Sequence, residues 1–290
     1  MTLRPLASLV VLSLAATALA SAQEPQPPAD DEPEFASANE LLDALETADA
    51  DLSFLTAQIR YTKTSQFLGE REVWLGDMQF VRQLLESVPT RRMFGVRFDR
   101  HYIGNMADDE VKIYIFDGHW FVEKLPGEKL IIKREVVRPG EMADPLRIGE
   151  GPFPIPIGQK KADILERFEA ELLEPGDGLT LDPNEEHPPE DLNAARNLVN
   201  FTRGSYQLRL TPRAEWADAI DLQEIRLWYT RSEDGRLLPR MARTVDFDGD
   251  ISVIQLINVT VNDKDSIDPT LMSTDVPEGW NAQIREWDGP

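Results

Sequence analysis

"KIYIFDGHWFVEKLPGEKLIIKREV", residues 112–136, reads as three short strands turned back at Asp117-Gly118 and again at Pro126-Gly127. Successive strand residues point to opposite faces, so Ile113 and Ile115 lie on one side of the first strand and Tyr114 and Phe116 on the other. A sheet with one face open to water does not need two apolar faces. The second face must be covered, and the question is by what.

Outward from this hairpin the chain continues the strand pattern. "FLTAQIRYTK" alternates, with Leu55, Ala57, Ile59 and Tyr61 on one side and Thr56, Gln58, Arg60 and Thr62 on the other. The same period recurs in "VWLGDMQFVRQL", "MFGVRFDRHYIG", "SYQLRLTP", "LQEIRLWYTR", "RLLPRMARTVDF" and "ISVIQLINVTV". Asp117-Gly118, Asp234-Gly235 and Asp248-Gly249 suit tight hairpins, because glycine accepts a positive φ. The pattern predicts an antiparallel meander, mainly β with few helices. Before it, Ser37 and Glu40 stand at capping-box spacing ahead of Leu41, Leu42 and Leu45, which predicts a helix after Ser37.

Two stretches interrupt the meander. "ADPLRIGEGPFPIPIGQKKADILERFEAEL" carries Pro152, Pro154 and Pro156 and then a short helix with Ile164, Leu165 and Phe168 on one side, suited to lie over a sheet. Residues 174–197 are acidic and rich in turn formers and read as an exposed insertion. Neither a repeat nor a break in composition calls for a second domain, so residues 37–290 are expected to form one.

Residues 1–22 have the form of an export signal: Arg4, an apolar run, and Ala20-Ser21-Ala22 before Gln23. Cleavage is expected near Ala22, followed by a disordered linker over 23–36 and a periplasmic destination. The apolar run is shorter than the roughly 20 residues of a spanning helix. The chain has no cysteine, so stability must come from burial without disulfides. Arg4 is the only charge in the signal, which leaves 29 basic against 52 acidic residues, a net of −23. That balance argues against nucleic acid and against anionic membrane surfaces, both of which select basic proteins.

The residues offer little to catalysis. His101, His119 and His187 sit at a strand end, a hairpin turn and a proline-flanked loop, without the spacing of a metal pair or a nucleophile and its base. There is no glycine-rich phosphate loop, no G-x-S-x-G elbow and no cysteine nucleophile. With so many acidic residues, a pair such as Asp108-Asp109 is expected by chance. Neither an enzyme nor a cofactor or metal protein is expected.

From about Ser37 onward, the order of the pieces resembles LolA, the periplasmic carrier of outer-membrane lipoproteins, and related lipoprotein-sorting proteins. The resemblance is carried by the first helix, "LSFLTAQIRYTK", "GDMQFVR", "MFGVRF", "IYIFDGHWFVEKLPGEK", "GPFPIPIGQKKADILERF" in the place of the lid helix, "YQLRLTP" and "MSTDVPEGW". It implies an incomplete antiparallel barrel whose inner lining, roofed by helices, takes acyl chains. It also implies an inner-membrane release transporter and an outer-membrane acceptor as partners of a monomer. The same fold serves relatives that sense lipids or lipoproteins in envelope signalling, the alternative reading.

Lining residues follow from parity within the resembling strands. Met78, Phe80 and Arg82 share a face, as do Phe94, Val96 and Phe98, and Ile113, Ile115 and Trp120 of the opening hairpin are added as lipid-binding candidates. The residues themselves leave open whether these line a cavity or pack as ordinary core. A chain of roughly fourteen methylenes at about 0.8 kcal/mol each needs on the order of 10 kcal/mol of replacement contacts, which only a large covered apolar surface offers. The resemblance further implies that Arg82 latches the lid through backbone carbonyls; Gln83 stands where the family has a proline.

Overall fold

Ser37 caps the first helix as its spacing predicts. Its side chain accepts from the Glu40 amide, and the Glu40 carboxylate accepts from the Ala36 amide at 2.8 Å. The computed structural model describes residues 34–83, 91–104, 106–138, 147–148, 157–158, 160–181 and 187–287. The proposed signal, most of the linker, Pro152, Pro154, Pro156 and the glycines at 149 and 151 lie outside the described residues. The folded unit begins slightly earlier than expected: Phe35 is buried and meets the Tyr206 ring edge-on at 4.8 Å.

Helix α1 (Ala38–Ala48) leads into β1 (Phe54–Thr64), β2 (Arg71–Gln83), β3 (Arg91–Ile103), β4 (Met106–Asp108), β5 (Lys112–Phe116), β6 (Trp120–Leu125) and β7 (Leu130–Glu135). After α2 (Lys161–Arg167) come β8 (Phe168–Leu173), α3 (Pro189–Thr202), β9 (Tyr206–Pro212), β10 (Glu224–Arg231), β11 (Leu237–Val245), β12 (Ile251–Val261) and β13 (Asn281–Arg285). All strands join one curved, unclosed sheet in the order β13-β7-β6-β5-β3-β2-β1-β12-β11-β10-β9-β8, with β4 on β3. It is two antiparallel meanders fused where β1 pairs with β12, and β13 departs from the antiparallel expectation by adding to β7 in parallel.

Side-chain parity gives the sheet two different surfaces. On the face that carries α1, Leu55, Ala57, Ile59, Trp74, Met78, Phe80, Phe94, Val96, Phe98 and Phe116 form one buried cluster. Beside it, Leu41, Leu42 and Leu45 of α1 pack with Ile164 of α2 onto Leu208, Leu210, Ile225, Leu227 and Ala242. Burial of these helical residues, not intrinsic propensity, holds such short helices in place. On the reverse face, Leu198, Val199 and Phe201 of α3 pack with Trp228, Met241 and Val253, and a second cluster forms around Ile115, Val122 and Ile131.

Two sequence expectations are corrected here. The helix over the cover ends at Arg167, and Phe168 has extended backbone and opens β8, where it is buried as a strand residue. The acidic insertion is not wholly exposed: its latter part enters α3, Leu179 is buried, and the carbonyls of Pro175 and Asp177 accept from Trp228, Arg226 and Gln207. The apolar spacing of Leu192, Val199 and their neighbours behind a Pro-Pro start was a helix signal that the acidic composition masked.

Candidate functional site

β2 and β3 set the site. Their register pairs Phe80 with Phe94 and Met78 with Val96, while Gly76 lies opposite Phe98 beside a bulge. All five large side chains therefore rise from the α1 face, and each is 2 % exposed or less. Phe94 stacks on Phe116 at 6.1 Å and Phe98 meets Tyr114 edge-on at 6.2 Å, so the stripe continues into β5. Leu52, just after α1, and Ile157 close over it in the same cluster.

Ile113, Ile115 and Trp120 are not brought to this stripe. In β5 and β6, Ile113 and Ile115 alternate with Tyr114 and Phe116 and point to the reverse face, where Ile115 lies beside Val122, Ile131 and the partly buried Trp120 and Trp280. Over the neighbouring part of that face runs the chain's own C-terminal segment. Lys124 Nζ donates to the Ser273 carbonyl at 2.7 Å, and Gln79 exchanges two hydrogen bonds with the Asp268 backbone at 2.6 and 2.9 Å. A Cβ on Gly95 would stand 2.7 Å from the Leu271 carbonyl oxygen, so glycine permits this approach. The second apolar face of the opening hairpin thus packs under the molecule's own tail, because residues one apart in a strand cannot line one cavity.

The cover of the α1 face is held differently. Arg82 Nη1 and Nη2 donate to the carbonyls of Asp49 and Ala50 at 3.0 and 2.6 Å, at the end of α1. Its register partner Arg92 donates to the carbonyls of Ile157 and Gly158 at 2.7 and 3.0 Å. Arg82 thus bonds the end of α1 and not the segment expected as the lid, whereas Arg92, which the sequence reading missed, bonds the residues before α2. Their pairing depends on the β2–β3 register, which no local motif states. Gly158 has φ +65°, and a Cβ there would come within 1.9 Å of Arg92 Nη2.

Asp49 joins the two parts of the cover. Its carboxylate accepts from the Gly158 amide at 2.5 Å, and Arg236 binds the neighbouring Ala48 carbonyl and the Asp51 carboxylate. Burial pushes the Asp49 carboxyl up to about 6, against the opposing pull of Gly158, Arg92, Arg82 and Arg236. The cations at the last carbonyls of α1 also complement the negative end of its dipole. Between these groups opens a recess of about 370 Å³ with Leu52, Phe80 and Ile157 among its walls and Arg82, Arg92 and Lys160 among its cations. Glu46 and Asp49 also line it, so the recess sets an apolar floor beside groups of both charges.

No helix among the described residues is long and apolar enough to cross a membrane. No family model and no curated protein matches the sequence. Among solved structures, an uncharacterised conserved protein from Thermus thermophilus is similar over 86% of this chain and 99% of its own, at 11% identity and TM-score 0.42. A putative outer membrane lipoprotein-sorting protein domain from Vibrio parahaemolyticus is similar over 80% of this chain and 94% of its own, at 10% identity and TM-score 0.34. A LolA superfamily protein from Nitrosomonas europaea is similar over 82% of this chain and 98% of its own, at 12% identity and TM-score 0.30. At these identities and TM-scores the likenesses assign the chain to no family and no role.

Proposed function

We propose that this protein is a non-enzymatic periplasmic carrier that binds acyl chains of lipoproteins or lipids on the α1 face, beneath a cover that opens and closes. The observation that carries the reading is the mode of closure. The apolar stripe of Met78, Phe80, Phe94, Val96 and Phe98 lies under Leu52 and Ile157, and hydrogen bonds that Arg82 and Arg92 donate to backbone carbonyls, with one that the Asp49 carboxylate accepts from the Gly158 amide, fasten this roof where strand pairing does not. Exchanging such bonds for water costs about 1 kcal/mol each, so opening is accessible, and an entering chain replaces the apolar contacts that opening removes. The head group then rests at the recess beside Arg82 and Arg92. Delivery between a membrane donor and an outer-membrane acceptor follows as the role of such a monomeric carrier.

Organic-solvent extraction of the purified protein, followed by mass spectrometry, tests the reading. Acylated lipid or lipoprotein fragments are expected in stoichiometric amount, together with saturable uptake of a fluorescent fatty acid by the delipidated protein. Absence of both would remove the acyl-chain assignment.

A further inference from the structure

The reverse face carries a second cleft, independent of the acyl-chain reading. It lies between β1–β3 and α3, holds about 560 Å³, and is lined by Arg60, Arg71, Val73, Leu75 and Tyr102 of the sheet and by Asn193, Ala194 and Asn197 of α3. Parity explains the grouping: Arg60 pairs with Leu75, Thr62 with Val73, and Val73 with Tyr102, which brings these side chains to one surface. α3 is anchored over β10–β12 by Leu198, Val199 and Phe201, and its earlier turns border the cleft.

The two arginines are the unusual part. In a chain with 52 acidic residues against 30 basic ones, Arg60 and Arg71 make no ion pair with a carboxylate among the described residues. Of the two acids that flank Arg71, Glu72 points to the other face and bonds His101, and Glu70 makes no ion pair with either arginine. Arg60 Nε is buried without a hydrogen-bond partner. Burial and the charge of Arg71 both push the Arg60 guanidinium below its ordinary range. Two like charges held together beside an unsatisfied donor raise the free energy of the empty cleft, and an oxyanion relieves all of these costs together.

The remaining walls limit the ligand. Val73, Leu75 and Tyr102 offer apolar and aromatic surface, and the amides of Asn193 and Asn197, one turn apart, offer further donors and acceptors. A phosphomonoester carries nearly two negative charges at neutral pH, which balances two guanidinium groups where a carboxylate balances one. We propose that the cleft between α3 and β1–β3 is a binding site for an organic phosphomonoester, held by Arg60 and Arg71 and packed through its organic part against Val73, Leu75 and Tyr102.

Calorimetric titration of the full chain with phenyl phosphate, inorganic phosphate and dihexanoyl phosphatidic acid below its micelle concentration tests the site. Phenyl phosphate should bind about tenfold or more tightly than inorganic phosphate, and Arg60→Gln and Arg71→Gln should each weaken it by about tenfold or more. Comparable affinity for dihexanoyl phosphatidic acid identifies a lipid head group as the source of the phosphate, and its exclusion identifies a soluble phosphoester. No saturable binding of phenyl phosphate, equal affinity for inorganic phosphate, or undiminished binding in both variants overturns the proposal. Should Arg60→Gln fail to fold, Asn197→Asp on the exposed side of α3 sets a carboxylate in the same cleft, and unchanged affinity there is equally fatal.

Discussion

The two faces of the β3–β5–β6 region are both buried under segments held by side-chain to backbone bonds, but only the reverse-face segment is also tied into the sheet by strand pairing. On the reverse face the C-terminal segment is pinned by Gln79 and Lys124 to its backbone and then enters the sheet as β13, pairing with β7 from Asn281 to Arg285. On the α1 face, arginine side chains and one carboxylate hold the residues around Asp49 and Ile157. Main-chain pairing is cooperative and spreads a local opening over a whole strand. A few side-chain clamps can release locally, and low-stability segments of this kind are where ligand gates are found. On the proposed carrier reading, equal burial does not imply equal function: one cover completes the fold, and the other is the one that opens.

The largest test of this contrast compares Phe94→Ala with Ile115→Ala. Both residues are fully buried, so both variants should lose stability in urea unfolding, by about 3–5 and 2–4 kcal/mol respectively. Added acyl ligand should restore stability to Ile115→Ala as fully as it stabilises the wild type, and should do so poorly in Phe94→Ala. The same ligand effect in both would erase the distinction between the faces.

Next in size is a pH effect centred on Asp49. Its carboxyl is raised from 3.8 to about 6 in the folded protein, so folding takes up a proton between those values, and opening of the proposed cover would release it. The resulting stabilisation is complete below about pH 4 and is lost as pH rises through 6; over the whole interval it amounts to at most about 3 kcal/mol, less for a carboxyl that keeps some contact with solvent. The groups facing it are Arg82, Arg92, Arg236 and the buried Tyr229. Uptake of a fluorescent fatty acid should be faster at pH 7.5 than at pH 5, and Asp49→Asn should flatten that dependence. A dependence that survives in Asp49→Asn would assign it to another group.

Smaller effects on stability, with clear effects on ligand, are expected at the clamps. Arg82→Leu and Arg92→Leu should each cost about 1–2 kcal/mol, since some of the released carbonyls can turn to water. Both should speed loss of bound lipid and raise hydrogen exchange in α2 more than in any strand. Gly158→Ala should reproduce the Arg92 phenotype, because the added Cβ occupies the position of the guanidinium and φ +65° disfavours it. Wild-type lipid retention in all three, with equal protection of α2 in the free and loaded protein, would make this roof a fixed structural element.

Much of the fold was legible in the residues, since strand period, hairpin glycines and the Ser37 cap are local signals. Alternation grouped Met78 with Phe80 and, separately, Phe94 with Val96 and Phe98, because a period of two fixes which neighbours in a strand share a face; the resemblance supplied their common face, which the β2–β3 register sets. The same rule, applied across the hairpin, separates Ile113 and Ile115 from Phe116. Local sequence could show that both faces were covered but could not say which cover was which. That depended on where the C-terminal segment returned, more than 130 residues after the hairpin begins. The tertiary structure likewise decided the clamp and the second cleft. Arg92 meets Arg82 through strand register, and Arg60 and Arg71 meet Asn193 and Asn197 through the docking of α3. Contacts between distant segments are set by how whole elements pack, and short-range periodicity does not encode them.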